Sequence, residues 1–225
     1  MIREFSSSEV WFLVQAVRWT VLLALLAFLG GGLVGLAVAI LRISKARLPR
    51  AIAIVYIKVF QGTPLLMQLY LVYFGINLFG IETNAWVAAA LGLTFYSSAF
   101  LGEIWRGCIQ AIPRTQWDGA RALALGYLPG LRLVILPQAL RIAIPPTVGF
   151  MVQILKGTSL ASIIGFTELT RAAQMVNNAT FRPFIVYALV ALLYFLLCWP
   201  LSLVSQRLER RLDPGRLTPA KLAAQ

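Results

Sequence analysis

Two stretches of this chain, residues 19–41 and 59–81, each run 23 residues without a charged side chain, and a third, 183–206, runs 24. At about 1.5 Å per residue, a helix of that length crosses an apolar bilayer core of about 30 Å. Composition agrees: 60% of the residues are hydrophobic, only 12% are charged, and the mean hydropathy is +0.80. Soluble domains carry about a quarter charged residues. With half that share the chain cannot clothe itself for water, so most of its exterior has to face lipid.

Two further segments complete the pattern. Residues 85–102 are uncharged for 18 positions, and 142–155 for 14, which spans only if the helix continues past Lys156. The expectation is an all-α membrane protein, a single transmembrane domain over 1–225. It has about five transmembrane helices, at 19–41, 59–81, 85–105, 139–158 and 183–206. The first run is too long for a signal-peptide core and no small-residue cleavage site follows, so it is expected to be retained. Gly30 to Gly35 matches G-x-G-x-x-G, yet no strand precedes it. Gly31 and Gly35, four apart, instead offer a small face on which another helix can come close. Gly62-Thr63-Pro64 either loosens its helix to present backbone groups or simply starts one. A short helix is predicted from about Thr167.

Polar side chains inside these spans are costly and therefore informative. Thr94, Ser97 and Ser98 fall within an arc of about 100°, and Gly149, Gln153 and Lys156 within about 60°. An amide and an amine along one face suit a water-lined path for a zwitterion. An amide between helices and a snorkelling lysine account for them equally well. Glu103 precedes Arg106 by three residues, the spacing of an intrahelical ion pair, and an acid this close to lipid is also a site candidate.

The formal charge is +12 with a pI near 10.5. In a soluble chain that would suggest nucleic acid; here the basic residues fall in loops between apolar runs, so no nucleic-acid partner is expected. With five spans, one side collects 14 of the 20 basic residues: Arg42, Lys45, Arg47 and Arg50; Arg106, Arg114, Arg121, Arg132 and Arg141; Arg207, Arg210, Arg211, Arg216 and Lys221. That side is predicted to be cytoplasmic, with the N-terminus outside and the C-terminus cytoplasmic. The chain has no histidine, and its two cysteines, Cys108 and Cys198, are isolated, so neither a disulfide framework nor a metal site is expected. It contains no G-x-x-x-x-G-K-[ST] and no paired carboxylates, so no catalytic residue or cofactor is assigned.

One long segment is neither a span nor a simple turn: the loop 107–137. Residues 117–125 have helix-forming composition, with Asp118 near the helix start and Trp117, Ala120, Leu123 and Ala124 on one side. Pro129-Gly130 is expected to break this helix, and a second piece, 131–136, to end at Pro137. A basic hairpin held against a membrane face can dock a second protein or lie on the lipid.

Asp118-Gly119-Ala120 followed by Ile135-Leu136-Pro137 resembles the cytoplasmic EAA loop, E-A-A-x3-G-x9-I-x-L-P, of ABC importer permease subunits. The proline falls 19 positions after the acid. Gln138 to Arg141 and Pro145-Pro146 are similar to the polar amino acid uptake branch, as are QGTPLLMQ (61–68), EIWRGCIQAIP (103–113) and KGTSLASIIGFTELTRAAQ (156–174). Three departures from the family pattern matter: Asp118 stands for Glu, Gly119 for Ala, and Ala124 for the motif glycine, with Gly126 two residues on as an alternative turn-maker.

The resemblance implies a type I ABC importer permease fold in a bacterial inner membrane. Its coupling-helix hairpin would sit in a separate ABC ATPase subunit that binds the ATP, and Trp117, Asp118, Gly119, Ala120, Arg121, Leu123, Ala124 and Gly126 would carry the coupling. It also implies a second permease chain, as homodimer or heterodimer, and an extracytoplasmic solute-binding protein delivering a polar amino acid. Ser97, Ser98, Glu103, Gln153 and Lys156 are the candidates for the solute path. An ATP-independent carrier or channel, or a membrane anchor that transports nothing, are the alternatives. The first would need an ion-coupling site or an inverted repeat, and neither is visible.

Overall fold

A computed structural model describes residues 4–44 and 46–212. Lys45, Arg216 and Lys221, which entered the orientation argument, and the rest of the basic tail from 213 lie outside the described residues. The described chain is helical: α1 (Ser7–Ile43), α2 (Arg47–Gly62), α3 (Leu65–Leu78), α4 (Ala85–Gln110), α5 (Arg114–Ala122), α6 (Tyr127–Gly130), α7 (Leu136–Gly157), α8 (Leu169–Thr180) and α9 (Pro183–Leu212). A π-helical turn, Leu131–Ile135, joins α6 to α7, and a 3-10 segment, Thr158–Ile164, follows α7. Four helical units are long and apolar enough to cross a membrane, and the bent pair α2–α3 makes up to five.

The helix α1 begins at Ser7 rather than near Trp19, because Glu9 accepts the Ser6 amide at 3.0 Å and closes the first turn. Its extra turns are useful for packing: Leu13 and Ala16 are buried with Leu169, Ala172 and Ala173 of α8 and with Val186 and Val190 of α9. Farther along, α1 lies against α4 over a long contact. A Cβ on Gly31 would fall 2.4 Å from Ser97 Cβ, and one on Gly35 would fall 3.0 Å from the Ser98 carbonyl oxygen. The two glycines four apart therefore set how closely these helices approach.

The run 59–81, expected as one span, is two helices meeting at 105°. Pro64 has no N–H, and its ring pushes Thr63 to extended backbone (φ −114°, ψ 141°), which ends α2 at Gly62. Gln68 makes the break tolerable. Its side-chain amide donates to the Phe60 carbonyl at 2.7 Å, the Thr63 carbonyl at 3.0 Å and the Thr63 hydroxyl at 2.9 Å. Without it, carbonyls at the end of α2 would stand unpaired beside apolar surroundings.

The segment expected to break at Pro129-Gly130 and again at Pro137 runs on instead, helical from Tyr127 to Ile164. Pro129 lies in the first turn of α6, where an N–H has no intrahelical partner to lose, and Pro137 directly follows the π-helical turn Leu131–Ile135, the kind of irregularity at which a helix takes in a residue that cannot donate. Farther in, α7 carries Pro145 and Pro146, and Ser205 of α9 donates to the Pro145 carbonyl at 2.9 Å. Between α4 and α7 the core is aromatic, with Phe150 stacked on Phe100 and Tyr96 at centroid distances of 5.4 and 6.3 Å.

Candidate coupling surface and solute path

The hairpin is built from α5, a four-residue turn, and the α6–π–α7 unit folded back on it. Trp117 stacks on Tyr127 with centroids 5.6 Å apart and planes 13° from parallel. The same indole packs on a small cluster formed by Ile112, Leu131, Ile135 and Ala139. Ala120 is buried opposite Gly130, where an added Cβ would meet Ala120 Cβ at 3.4 Å. Gln138 donates to the Gln116 side chain at 3.1 Å and ties α7 to α5. Trp117 and Ala120, expected to anchor a partner, therefore hold the hairpin together. Leu123, 75% exposed, Leu128, 69%, and Leu133, 65%, are the most exposed apolar side chains of the hairpin.

The turn shows why the family motif wants glycine at position 124. The amide of Ala124 donates to the Arg121 carbonyl at 2.8 Å and that of Leu125 to the Ala120 carbonyl at 3.0 Å. This is a Schellman ending, whose residue beyond the cap takes left-handed backbone. Ala124 does so, with φ 56°. Gly126, the alternative turn-maker, has φ −64° and ψ 173°, ordinary extended backbone. The turn is made by the alanine, and Gly126 does not replace the missing glycine.

Asp118 and Arg121 pair at 3.2 Å, both largely exposed, a contact worth only a few tenths of a kcal/mol, about 0.2–0.5. Gly119 is exposed, and nothing lies within 4 Å of a Cβ placed on it. Asp118, Gly119, Arg121, Leu123, Ala124 and Gly126 thus present an open outer surface, mixed in character, over a rigid support.

The path candidates separate into an enclosed pair and an open pair. Ser97 and Ser98 are fully buried. Ser97 packs against Gly31, while Ser98 shares a 2.6 Å hydrogen bond with the Tyr56 hydroxyl and donates to the Phe95 carbonyl at 2.8 Å. In this arrangement they join α4 to α1 and α2, Ser97 on the face that packs against glycine and Ser98 on the face that meets Tyr56. Gln153 and Lys156 are exposed on α7. Glu103 is paired with Arg106 at 2.5 Å and lies 4.0 Å from Arg42 of α1, so it joins two helices at the hairpin end of the bundle.

One polar centre has no signature in the sequence. Glu168, fully buried, caps α8: its carboxylate accepts the amides of Thr170 and Arg171 and the hydroxyl of Tyr194, each at 2.8 Å. The next amide, Leu169, donates to Thr20 of α1 at 3.1 Å. Glu168 lies beyond the span that ends at Ile164, and burial pushes its carboxyl above the usual carboxylate range. Glutamate is not a preferred capping residue, and partners 149 positions away cannot be read from local pattern.

Comparison with known proteins bears on both regions. Residues 31–215 match the family described as "Binding-protein-dependent transport system inner membrane component". The chain is 33% identical over 200 residues to the probable amino-acid ABC transporter permease protein YckA of Bacillus subtilis (strain 168), covering 89% of this chain and 88% of that one. It is 34% identical over 213 residues to the L-cystine transport system permease protein TcyB of the same organism, covering 90% and 91%. A solved structure described as "Crystal structure of an amino acid ABC transporter with histidines" superposes with a TM-score of 0.87 at 34% identity, covering 94% of this chain and all of that one.

Proposed function

This chain belongs to the family of binding-protein-dependent transport system inner membrane components, and we propose that it is the permease of an ATP-driven importer of polar amino acids. The amino-acid class follows from what its relatives are named for. The chain supplies the membrane passage, and ATP is bound and hydrolysed by a separate ATPase subunit. The hairpin 107–137 faces the cytoplasm, as the bias of basic residues supports, with the N-terminus outside and the C-terminus inside. A second permease chain completes the passage, and an extracytoplasmic binding protein hands over the solute.

The observation that carries this reading is the hairpin. Its inner face is locked by Trp117, Ala120 and Gln138, and its outer face offers Leu123 beside the open surface at Gly119. A lever needs that division. A loose loop would absorb the motion of an ATPase, whereas α5 passes it through the π turn directly into α7. Gln153 and Lys156 lie on the exposed face of that same helix, so movement of the hairpin displaces the amide and amine that would meet the amino acid's polar groups. Glu103, neutralised by two arginines, braces α1 on α4 while α7 moves.

The test is uptake by the complete importer in liposomes, with binding protein outside and ATP inside. Gly119→Trp and Leu123→Asp should each lower uptake and substrate-stimulated ATP hydrolysis about tenfold or more, the effect of losing one interface anchor. Neither position is buried, so the melting temperature of the purified permease should hardly move. Undiminished uptake in both variants would remove the coupling role from this surface.

A further inference from the structure

Just past the hairpin, between the early turns of α7 and the last turns of α9, lies a pocket of about 510 Å³. Its lining includes Arg141, Ile142, Pro145 and Pro146 of α7 and Ser205 and Glu209 of α9. Small-molecule sites usually enclose about 300–1,000 Å³. In the orientation proposed above, this one lies at the cytoplasmic end of the bundle.

Charges of both signs line it and do not meet. The side chains of Arg141 and Glu209 are exposed, and neither makes an ion pair or hydrogen bond among the described residues. Beside them the backbone is short of donors. Pro145 and Pro146 have no N–H, so the carbonyls of Arg141 and Ile142 lose the amide four residues on that an α-helix supplies. The Ser205 hydroxyl gives its proton to the Pro145 carbonyl at 2.9 Å, which leaves its oxygen as an acceptor. One end of the pocket therefore suits a cation with several donors, and the other an anion that a guanidinium can grip. An apolar occupant would strip water from both charges and return nothing. A ligand of one sign would satisfy only one of them. An α-amino acid carries an ammonium with three donors and a carboxylate on the same carbon.

We propose that this pocket is a second amino acid site, which takes the zwitterion of a released molecule from the cytoplasm. The ammonium meets Glu209 and the acceptors beside it, and the carboxylate meets Arg141. One ligand then ties α9 to α7, the helix that the hairpin moves, so product accumulating inside holds the lever and slows turnover. This braking role rests on the importer function proposed above; recognition of a zwitterion does not.

Alkylation of Leu212→Cys by iodoacetamide reads the site locally, because Leu212 lines the pocket and the native Cys108 and Cys198 are buried. The assembled importer in phosphatidylglycerol nanodiscs is labelled with L-glutamine present, with its N-acetyl derivative, which lacks the ammonium, or with its α-amide, which lacks the carboxylate. L-glutamine should slow labelling, and each derivative should need about fivefold more for equal protection, the upper reach of one exposed ion pair. Arg141→Gln should erase the difference between L-glutamine and its α-amide and keep that against the N-acetyl form. Glu209→Gln should do the reverse. In liposomes, L-glutamine inside should lower ATP hydrolysis by the wild-type importer, and proportionally less in either variant. Equal protection by all three compounds, protection by none, or an unchanged pattern in both variants would overturn the assignment. So would protection by added phosphatidylethanolamine alone, or a disulfide from Leu212→Cys to a second permease chain. Protection with hydrolysis indifferent to internal L-glutamine would overturn the braking role and keep the site. The protection pattern persisting while Gly119→Trp leaves uptake intact would overturn the coupling reading and spare the site.

Discussion

Replacing Ala124 with glycine should stabilise the hairpin, and the size of the effect follows from its backbone. An L-residue held in the left-handed region loses about 1–2 kcal/mol relative to right-handed backbone. At φ 56° Ala124 bears that strain, since the Schellman bonds from its own amide and from Leu125 need this geometry. Glycine relieves it but costs about 0.5–1 kcal/mol through the greater freedom of the unfolded chain. The net gain is about 0.5–1 kcal/mol, a factor of about 2–5 in the local opening equilibrium. Hydrogen exchange at residues 124 and 125 is the fitting assay, because those two amides are the donors in the turn. Their protection should rise by that factor in Ala124→Gly. Gly126→Ala should leave it nearly unchanged, because φ there is −64° and a new Cβ would meet only Pro129 Cδ, at 3.8 Å. If Ala124→Gly leaves protection flat or lowers it, or if Gly126→Ala is the damaging change, the turn has been assigned to the wrong residue.

Three further outcomes follow from the packing. Gly35→Ala places a methyl group 3.0 Å from one backbone atom of α4 and 3.2 Å from another, so α1 and α4 must separate. A loss of about 1–3 kcal/mol is expected in unfolding of the purified chain. Gln68→Leu keeps the volume but removes the donors to Phe60 and Thr63, and should cost about 1–3 kcal/mol in the same assay. Burial makes folded Glu168 hold its proton to higher pH than the unfolded chain does. Its contribution to stability is therefore complete below the ordinary carboxylate range and lost as pH rises through the raised value. The melting temperature should fall with pH across that window, and Glu168→Gln should flatten the slope.

How legible these features were depended on distance along the chain. Uncharged runs reveal membrane-crossing helices because lipid tolerates few charges, and the ends of those runs revealed the hairpin between two of them. The Gly31–Gly35 spacing revealed a close helix contact, because only small residues permit one. The dissection of 59–81 was half visible: Gly62-Thr63-Pro64 marked the weak point, but the 105° bend depends on Gln68 reaching back to the carbonyls the break exposes. A proline does not announce whether it starts a helix or breaks one. Pro129 and Pro137 looked like breaks, yet the first sits in a first turn, where a missing N–H costs nothing, and the second follows a π turn that carries the helix past it.

Sequence by itself determined the solvent this protein lives in, the length and rough number of its spans, the family pattern of its hairpin, and the residue types available to a solute. Each is a sum over local preferences: transfer of side chains to lipid, backbone propensity, spacing along one helix. Tertiary structure alone decided which face of each helix is covered. It turned Ser97 inward onto glycine and Ser98 onto Tyr56, left Gln153 and Lys156 open, packed Trp117 on Tyr127 and buried Ala120 within the hairpin, and brought Glu168 to Tyr194 and its neighbouring amide to Thr20. A helical wheel gives the angle between side chains and not the direction of the neighbouring helix. That direction is set by close packing among segments far apart in the chain.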